Sequence, residues 1–411
     1  MAEQQIGRAS QDTADARRVA VVTTTIRVPE FLEPLIDAAR RAGQLPRLEV
    51  IVVGDRRTPA ATQTYLADLA RRAEVDVRYL GPGEQTALLR PFPALEMLLR
   101  WDCVQRRNVG WLQAAIDRAD VIVSIDDDNH PLDDGFLAAH QIVGRRVELP
   151  VVSHPSGWWN VGERFVCEPP RRFYLRGFPK SRQDWRFGGA RVERRVVKVA
   201  VNAGLWLGTP DVDATAQIEQ PIDATRVEPV DGDDRCALAP GTWCPINTQN
   251  TAFDAALLPA MYLPVMLEPV HGYRIDRADD IWMGYFLRTI ADQRGESVVY
   301  GPPWVRQRRN PHDHLADLEH ELPTYRLTER LAGYLREFRA AAPDYHDAYG
   351  QLIRYLRRAY DADASLPEGE RECFRQLTIG MAIWHETIGR VLGRTAEWPE
   401  ERRDGADART A

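Results

Sequence analysis

Apolar runs alternate with amphipathic stretches over the first 125 residues of the chain. Runs of β-branched residues such as VAVVTTTI are typical of buried strands, and stretches with apolar positions three or four apart, such as PEFLEPLIDAARRAG, are typical of helices. The pattern predicts strands over 19–26, 48–55, 75–81 and 121–125 and helices over 29–43, 59–73 and 94–119. Strands that alternate with helices form a parallel sheet with helices on its faces. We therefore expect an α/β fold with a Rossmann-like, doubly wound sheet flanked by helices.

The pattern changes twice further along the chain. Between residues 150 and 250, short β-like runs are separated by many Trp, Pro and Gly residues, which is typical of loops that can wrap a ligand. Helical spacing of apolar residues returns at 325–342 and 372–393. We predict a disordered leader over 1–18, a main α/β domain over 19–315, a C-terminal helical appendage over 316–395 and a disordered tail over 396–411.

Composition and charge argue against several classes of partner. The chain has 411 residues, 44% of them hydrophobic, and a formal net charge of −7, so there is no general reason to expect nucleic acid or an anionic membrane as a partner. No apolar run approaches the roughly 20 residues of a transmembrane helix, and the first residues lack the apolar core of a signal peptide. The five scattered cysteines contain no C-x-x-C pair, which argues against a disulfide framework. We expect a cytoplasmic protein.

Three consecutive aspartates, Asp126, Asp127 and Asp128, follow the strand predicted at 121–125. In an open α/β sheet, ligands bind at the carboxyl ends of the strands. Carboxylates one residue apart supply oxygen ligands for Mn²⁺ or Mg²⁺, and a bound cation offsets their repulsion and can bridge to phosphate groups. We therefore predict Asp126 and Asp128 as metal ligands. The alternative is an acidic surface turn leading into Pro131.

Two other enzyme classes are less favoured for this strand end. An aspartyl-phosphate phosphatase also carries Asp-x-Asp after a strand, but its accompanying Ser/Thr and Lys pattern is not evident in the chain. A dinucleotide dehydrogenase requires a G-x-G-x-x-G motif, which does not follow the first strand.

Two further pairs of residues are candidates for chemistry. Arg107 and Asn108 belong to RRNVGW, and a helix that enters near the ligand edge can aim both side chains at a diphosphate, although QRR alone is more typical of a solvated basic face. Asp279 and Asp280 precede the run IWMGYFLRTIADQ. One carboxylate is enough to cap a helix, so the second is a candidate for binding a ligand hydroxyl or carrying a proton.

Short blocks along the chain resemble, in the same order, those of the reversibly glycosylated polypeptide family, the UDP-arabinopyranose mutases. The blocks are TTIR (24–27), VVGD (52–55), RRNVGW (106–111), IDDDN (125–129), YLRGFPKS (174–181), NAGLWLGTPDVDA (202–214), NTAFDAALLPAMY (250–262), RADDIWMGY (277–285) and WVRQRRNP (304–311). Each block is weak alone, but their common order over about residues 19–315 is specific, and the C-terminal helices lie outside it. The resemblance implies a glycosyltransferase-A-like fold. It also implies a flavin-independent, metal-dependent interconversion of the pyranose and furanose forms of a UDP- or GDP-linked sugar.

The resemblance also implies roles for individual residues. Catalytic roles are expected for Arg107, Asp127, Asp279 and Asp280, substrate binding for Thr25, Arg27, Asp55, Asn108, Arg176, Trp206 and Asn250, and metal binding for Asp126 and Asp128. For Arg107, a clamp on the departing diphosphate is favoured over a transient sugar adduct, because a guanidinium presents donors and no available lone pair. The tryptophans of GWWN (157–160) and Trp206 are expected either to exclude water from the reaction or to belong to the core.

Three positions depart from the family pattern. Asn108 and Asn129 stand where the plant members have Cys, and Val305 stands where the family has His. If that His binds metal or carries protons in the relatives, His312, His314 or a water must replace it here.

Two alternative functions remain open at this point. A metal-dependent glycosyltransferase would use the same fold and aspartates, with the C-terminal helices shaping an acceptor site. A non-catalytic subunit that binds a nucleotide sugar would be consistent with Val305. A homo-oligomer is compatible with either function.

Overall fold

The N-terminal part of the chain is an alternating β/α unit. The computed structural model describes residues 17–183, 188–266, 269–272, 274–309 and 313–394. Its first elements are β1 (Val19–Thr24), α1 (Leu32–Arg41), β2 (Leu48–Val53), α2 (Ala61–Ala73), β3 (Asp76–Leu80) and α3 (Pro82–Leu89). Apolar side chains bury β1 and β2, and the chain leaves α1 through Gly43, whose φ of 68° favours glycine. The predicted strands and helices of this region are confirmed, with ends a few residues shorter.

The single helix predicted over 94–119 is wrong, because the structure has two shorter helices there. These are α4 (Pro93–Leu98) and α5 (Arg107–Ile116), with a 3₁₀ turn directly before α5. The Arg106 guanidinium lies 3.8 Å from the ring centroid of Trp101, and the Asp102 N–H donates to Asp55 Oδ2 at 2.8 Å. Helical periodicity does not reveal such a break, since the Asp102 contact reaches a distant part of the chain.

The rest of the sheet mixes antiparallel and parallel pairs. The elements are β4 (Val121–Ile125), β5 (Asn129–Pro131), α6 (Phe136–His140), β6 (Arg146–Ser153), β7 (Phe165–Glu168), β8 (Arg191–Gly208), α7 (Ala214–Glu219), β9 (Asp223–Val227), β10 (Cys236–Leu238), β11 (Asn250–Asp254), α8 (Asp279–Gln293) and β12 (Glu296–Gln307). Over the described residues the strand order is β3-β2-β1-β4-β11-β8-β6-β10-β12-β5, with β7 and β9 beside it. The first four strands are parallel, and β11 is antiparallel to both β4 and β8. The α/β class is confirmed, and the sheet is mixed.

The end of β12 lies against the turn that carries the three aspartates. Gln307 pairs with Asn129 of β5, and the Arg308 N–H donates to the Asp128 carbonyl oxygen at 2.9 Å. Residues more than 170 positions apart in the chain are therefore held together at this edge of the sheet.

Three C-terminal helices pack directly on the α/β core: α9 (His314–Glu337), α10 (Tyr345–Ala362) and α11 (Glu368–Val391). Two buried indole N–H groups make the junction, Trp282 donating to Thr328 at 2.9 Å and Trp384 to the Leu258 carbonyl at 3.0 Å. The predicted division at residue 315 falls at the start of α9 and stays a prediction.

The predicted leader and tail lie outside the described residues, apart from residues 17 and 18. In the part of the chain that the structure describes, no helix combines the length and apolar character needed to cross a membrane.

Candidate functional site

Two adjoining cavities open where the parallel strands end. The strand-end cavity, of about 260 Å³, is lined by residues from the ends of β1 and β2 together with Asp127. The aspartate cavity, of about 370 Å³, is lined by seven aspartates and five arginines among other residues. These charged residues are Asp102, Asp126, Asp128, Asp276, Asp279, Asp280, Asp317, Arg107, Arg176, Arg274, Arg277 and Arg309. Residues 102–104, from the break between α4 and α5, line both cavities, so an elongated ligand can extend from one to the other.

The turn after β4 directs the three consecutive carboxylates to different cavities. The Asp126 N–H donates to the Gln249 carbonyl at 3.0 Å, and the Asn129 N–H donates to the Asp126 carbonyl at 3.1 Å. As a result Asp126 and Asp128 line the aspartate cavity, while Asp127 lines the strand-end cavity. Burial, and then the charges of Asp126 and Asp127, raise the pKa of Asp128 to about 6. A cation beside this turn would relieve that repulsion.

Asp126 and Asp128 fit a divalent cation as part of its set of ligands. Carboxylates are hard oxygen ligands, and the Oε1 of Gln307, which lines the same cavity, is buried and has no hydrogen-bond partner among the described residues. Within the described ranges, no group of three or more His, Cys, Asp or Glu side chains is arranged to hold a metal ion. Oxygen atoms of a ligand or of water would therefore have to complete the coordination.

The structure does not bring the proposed substitutes for the family His to these aspartates. Val305 is buried in β12 opposite Pro131. His314 lies 3.7 Å from Asp317 at the start of α9, and His312 lies outside the described residues. A different histidine, His320 of α9, lines the aspartate cavity.

Arg107 is a buried cation that reaches the aspartates from the start of α5. Its Nη2 donates to Thr24 Oγ1 at 3.0 Å and forms an ion pair with Asp126. Its Nη1 donates to Thr248, to Oγ1 at 2.8 Å and to the carbonyl oxygen at 3.2 Å. Because both terminal nitrogens are held, the guanidinium has a fixed orientation at the edge of the cavity.

Asp279 and Asp280 begin α8 and have different surroundings. Arg176 donates to Asp280 at 2.9 and 3.1 Å and to Asp211 at 2.8 and 3.0 Å, so the charge of Asp280 is compensated. Asp279 accepts a hydrogen bond from Gln105 Nε2 at 2.9 Å and makes no ion pair with a described residue. Neither aspartate is the N-cap residue of α8, which is Ala278.

The environment of Asp279 suits it for carrying a proton. Burial, and then the charges of Asp280 and Asp276, raise the pKa of Asp279 to about 7. A carboxyl with such a pKa can take up and release a proton near neutral pH. Asp279 is therefore the better candidate of the pair for a proton carrier.

The strand-end cavity contains four of the predicted residues. Thr25 Oγ1 donates to Asp127 Oδ2 at 2.8 Å, and Arg27 Nε lies 3.4 Å from the same carboxylate. The carboxylate of Asp55 accepts the backbone N–H groups of Arg56 at 2.6 Å and Asp102 at 2.8 Å. Since Asp127 faces this cavity and not the aspartate cavity, its position favours binding a ligand over the predicted catalytic role.

Three predicted substrate-binding residues line neither cavity. The amide of Asn108 holds the backbone of Leu263, donating to its carbonyl and accepting from its N–H, both at 2.9 Å. Asn250 bonds to His140 at 3.0 Å and to the Leu205 carbonyl at 3.1 Å. Trp206 stacks on Phe165 with 6.1 Å between the ring centroids. Their contacts are those of core residues.

The tryptophans of the GWWN segment do not wall the aspartate cavity either. Trp158 packs edge-on against Phe178, Trp243 and Tyr285, and it lines a separate cavity of about 420 Å³. Of the two alternatives for these aromatic residues, the core is the one that their contacts favour.

Sequence reasoning missed several residues of the aspartate cavity. Gln105 lies two residues before Arg107, and Arg309 belongs to the block WVRQRRNP, but no sequence pattern gives either residue a role. Asp317 and His320 come from α9, which periodicity assigns only to a helical appendage. No local pattern marks these residues, because only the packing of α9 and the path of β12 bring them to the cavity.

A model of a family described as Reversibly glycosylated polypeptide matches residues 97–386. The expectation that the C-terminal helices lie outside the resemblance is therefore wrong, since the match reaches into α11. Residues 19–96, which the resemblance was expected to cover, precede the match.

Curated relatives match a shorter stretch. UDP-arabinopyranose mutase 1 of Arabidopsis thaliana is 35% identical over 134 residues, 32% of each chain. Probable UDP-arabinopyranose mutase 2 of Solanum tuberosum is 35% identical over 142 residues, and UDP-arabinopyranose mutase 1 of Oryza sativa subsp. japonica is 34% identical over 148 residues, in both instances 34% of each chain. The chain thus spans about a third of the length of the curated relatives it matches.

Solved structures give a weaker likeness. Glucosyl-3-phosphoglycerate synthase from Mycobacterium tuberculosis, in complex with Mn²⁺ and UDP-glucose, is 12% identical with a TM-score of 0.38, over 77% of this chain and 79% of that chain. The same synthase in complex with UDP is 13% identical with a TM-score of 0.37, over 77% of this chain and 80% of that chain. TM-scores of this size do not establish a common fold.

Proposed function

The chain belongs to the reversibly glycosylated polypeptide family, and from that premise we propose that it interconverts the pyranose and furanose forms of a nucleoside-diphosphate sugar. The proposal includes a glycosyltransferase-A-like fold, a divalent metal ion and no flavin. A UDP- or GDP-linked sugar is the substrate class. UDP-arabinose is the first substrate to test, because the curated relatives that match are named as mutases of UDP-arabinopyranose.

One observation carries this proposal: a buried carboxyl with a pKa of about 7, Asp279, shares a cavity with Arg107 and two further aspartates of the β4 turn. Ring contraction requires a site where a diphosphate can leave and return, together with one group that moves a proton within the sugar. In the proposed binding mode the nucleoside occupies the strand-end cavity, near Asp55 and Asp127. The diphosphate lies at Asp126 and Asp128, and the sugar extends into the aspartate cavity.

The first step is departure of the diphosphate. A divalent cation held by Asp126 and Asp128 would neutralise charge that develops on the diphosphate as its bond to the anomeric carbon breaks. Arg107 adds a fixed positive charge at the same place. We assign Arg107 the role of a fixed positive charge that clamps the diphosphate, and not that of a covalent adduct, because Thr24, Thr248 and Asp126 hold its two terminal nitrogens in place.

The second step moves one proton inside the sugar. Loss of the diphosphate leaves positive charge shared by C1 and the ring oxygen O5, and the sugar's O4 then bonds to C1 while its proton passes to the Asp279 carboxylate. The C1–O5 bond breaks, and Asp279 returns the proton to O5. The diphosphate re-adds to C1 and gives the furanose, so the net change is a proton moved from O4 to O5. The same carboxyl acts in turn as base and acid, which a pKa near neutral pH favours.

The remaining charged residues hold the reacting groups in place. Arg176 ties Asp280 to Asp211 and so fixes the start of α8, where Asp279 lies. We therefore propose a positioning role for Arg176 and Asp280. Asp127, with Thr25 and Arg27, is proposed to contact the ribose or base of the nucleotide.

The decisive experiment omits any acceptor. Purified protein with Mn²⁺ is incubated separately with UDP-arabinopyranose and UDP-arabinofuranose, and the products are resolved by anion-exchange chromatography and identified by NMR. Both reactions should reach the same mixture of the two isomers. Hydrolysis to UDP and free arabinose, with no isomer formed, would overturn the mutase proposal. Transfer that appears only when an acceptor is added would favour the glycosyltransferase alternative.

The matched variant for this experiment is Asp279→Asn. It keeps the size of the side chain but cannot accept a proton, so isomerisation should stop while binding of UDP, measured by calorimetry, stays within about threefold. The reverse pattern, lost UDP binding with isomerisation retained, would contradict the role of Asp279.

A further inference from the structure

Arg309 differs from the other four arginines that line the aspartate cavity. Each of those four pairs with a carboxylate: Arg107 with Asp126, Arg176 with Asp211 and Asp280, Arg274 with Asp276, and Arg277 with Asp317 and Glu321. Arg309 forms no hydrogen bond or ion pair with any residue that the structure describes. Among the arginines of this cavity, it is the one that no described carboxylate pairs with, so its charge is available to a ligand.

The backbone fixes Arg309 close to the aspartates. It follows β12, and the N–H of the preceding residue, Arg308, donates to the Asp128 carbonyl at 2.9 Å. The Arg309 side chain is half-buried and lines the cavity together with Asp126 and Asp128. A group bound at those two aspartates is therefore within the space that Arg309 faces.

An unpaired, half-buried guanidinium is energetically unfavourable unless an anion reaches it. Burial, and then the positive charge of Arg277, lower the pKa of Arg309. Two of the carboxylates whose charge acts on Arg309, Asp211 and Asp317, already pair with Arg176 and Arg277. A third, Asp128, interacts with Arg309 electrostatically without forming an ion pair and is the predicted metal ligand. An anionic group of a bound molecule would supply the ion pair that Arg309 lacks among the described residues.

We propose that Arg309 binds the sugar-linked phosphate of the nucleoside diphosphate and makes the protein selective for diphosphates over monophosphates. This inference rests on the proposed function insofar as the ligand is a nucleoside-diphosphate sugar. Arg107 already pairs with Asp126, whereas Arg309 forms no ion pair with a carboxylate of the described residues. A guanidinium can donate two parallel hydrogen bonds to phosphate oxygens, which gives it geometric specificity as well as charge.

Binding of UDP and UMP, measured by calorimetry with Mn²⁺ present, tests this inference. UMP lacks the phosphate that Arg309 is proposed to hold. In Arg309→Gln, UDP should bind about 10- to 150-fold more weakly, since a hydrogen bond to a charged group contributes roughly 1.5–3 kcal/mol. UMP should bind within about threefold of wild type. Equal weakening of UDP and UMP, or unchanged binding of UDP, would overturn the proposal.

Two controls separate ligand binding from folding. Arg308→Gln removes the exposed neighbouring arginine and should leave UDP binding unchanged. Arg309→Gln should unfold at the same or a higher urea concentration than wild type, because it removes a cation without a partner; a clear loss of stability would contradict that premise. Arg309→Lys keeps the positive charge but cannot donate two parallel hydrogen bonds, and it should bind UDP with an affinity between those of wild type and Arg309→Gln.

The outcome is independent of whether the protein isomerises sugars. If Arg309→Gln weakens the binding of UDP but not of UMP, and the isomerisation assay fails, the phosphate assignment stands and the mutase proposal falls. If isomerisation proceeds and Arg309→Gln binds UDP normally, the mutase proposal stands and the assignment of Arg309 falls.

Discussion

Replacing Gln105 with methionine should raise the pH at which the isomerisation becomes fast. Gln105 Nε2 donates to Asp279 Oδ2 at 2.9 Å, and this bond stabilises the carboxylate form of Asp279. Asp279 has to begin the cycle as a carboxylate, so the rate should rise with pH through the pKa of about 7. A hydrogen bond to a charged group contributes roughly 1.5–3 kcal/mol, which corresponds to about one to two pH units. The midpoint should therefore move from about 7 to about 8–9 in the variant.

Other groups around Asp279 also determine its pKa. Burial, and then the charges of Asp280 and Asp276, raise the pKa of Asp279 and Arg176 lowers it, while Cys103 is close enough for the charge of Asp279 to act on it. None of these groups changes in Gln105→Met. Because the folded-state pKa is raised, Asp279 stabilises the folded protein at acid pH, and this contribution is lost as pH rises through about 7. In the variant the loss should extend to higher pH.

The assay is kcat for isomerisation measured against pH at constant ionic strength and saturating Mn²⁺. Gln113→Met is the matched control, since Gln113 of α5 also donates to a carboxylate, that of Asp117 at 2.6 Å, but lines neither cavity. A midpoint that stays at the wild-type pH in Gln105→Met, or that Gln113→Met moves equally, would refute the reasoning.

Three further predictions concern metal, leaving group and stability. Asp128→Asn should abolish the Mn²⁺-dependent turnover, measured as the rate against metal concentration; unchanged turnover would contradict the metal assignment. Arg107→Lys should lower kcat about a hundredfold or more, because it keeps a charge but loses the fixed donors, and a change in KM alone would argue against a leaving-group clamp. Asn108→Ala should lower the free energy of unfolding in urea by about 1–3 kcal/mol, because it leaves the buried backbone of Leu263 without its hydrogen bonds, and KM should be unchanged. A raised KM with unchanged stability would instead support the predicted role of Asn108 in binding substrate.

The sequence by itself determined the first half of the sheet and the edge where a ligand binds. β-Branched runs and helical spacing are local patterns, so β1, β2, β3 and β4 were predictable from neighbouring residues alone. The rule that parallel strands end at one edge then brings residues 24–27, 55 and 126–128 together, as the structure has them. The order of the short blocks was enough for the family resemblance, to which the family model corresponds.

Only the tertiary structure decided the different surroundings of the two members of each adjacent pair. Arg107 and Asn108 are neighbours on α5, yet one reaches Asp126 and the other holds Leu263. Asp279 and Asp280 both line the aspartate cavity, but only Asp280 forms an ion pair with Arg176.

The physical reason is the distance along the chain between the partners. Gln105 and Asp279 are 174 positions apart, and the pairing of β12 with β5 brings Arg308, and with it Arg309, next to Asp128. Burial, charge pairing and pKa arise from such distant contacts. A local pattern of apolar and polar residues can place a side chain at a sheet edge, but it does not specify the side chain's partners there.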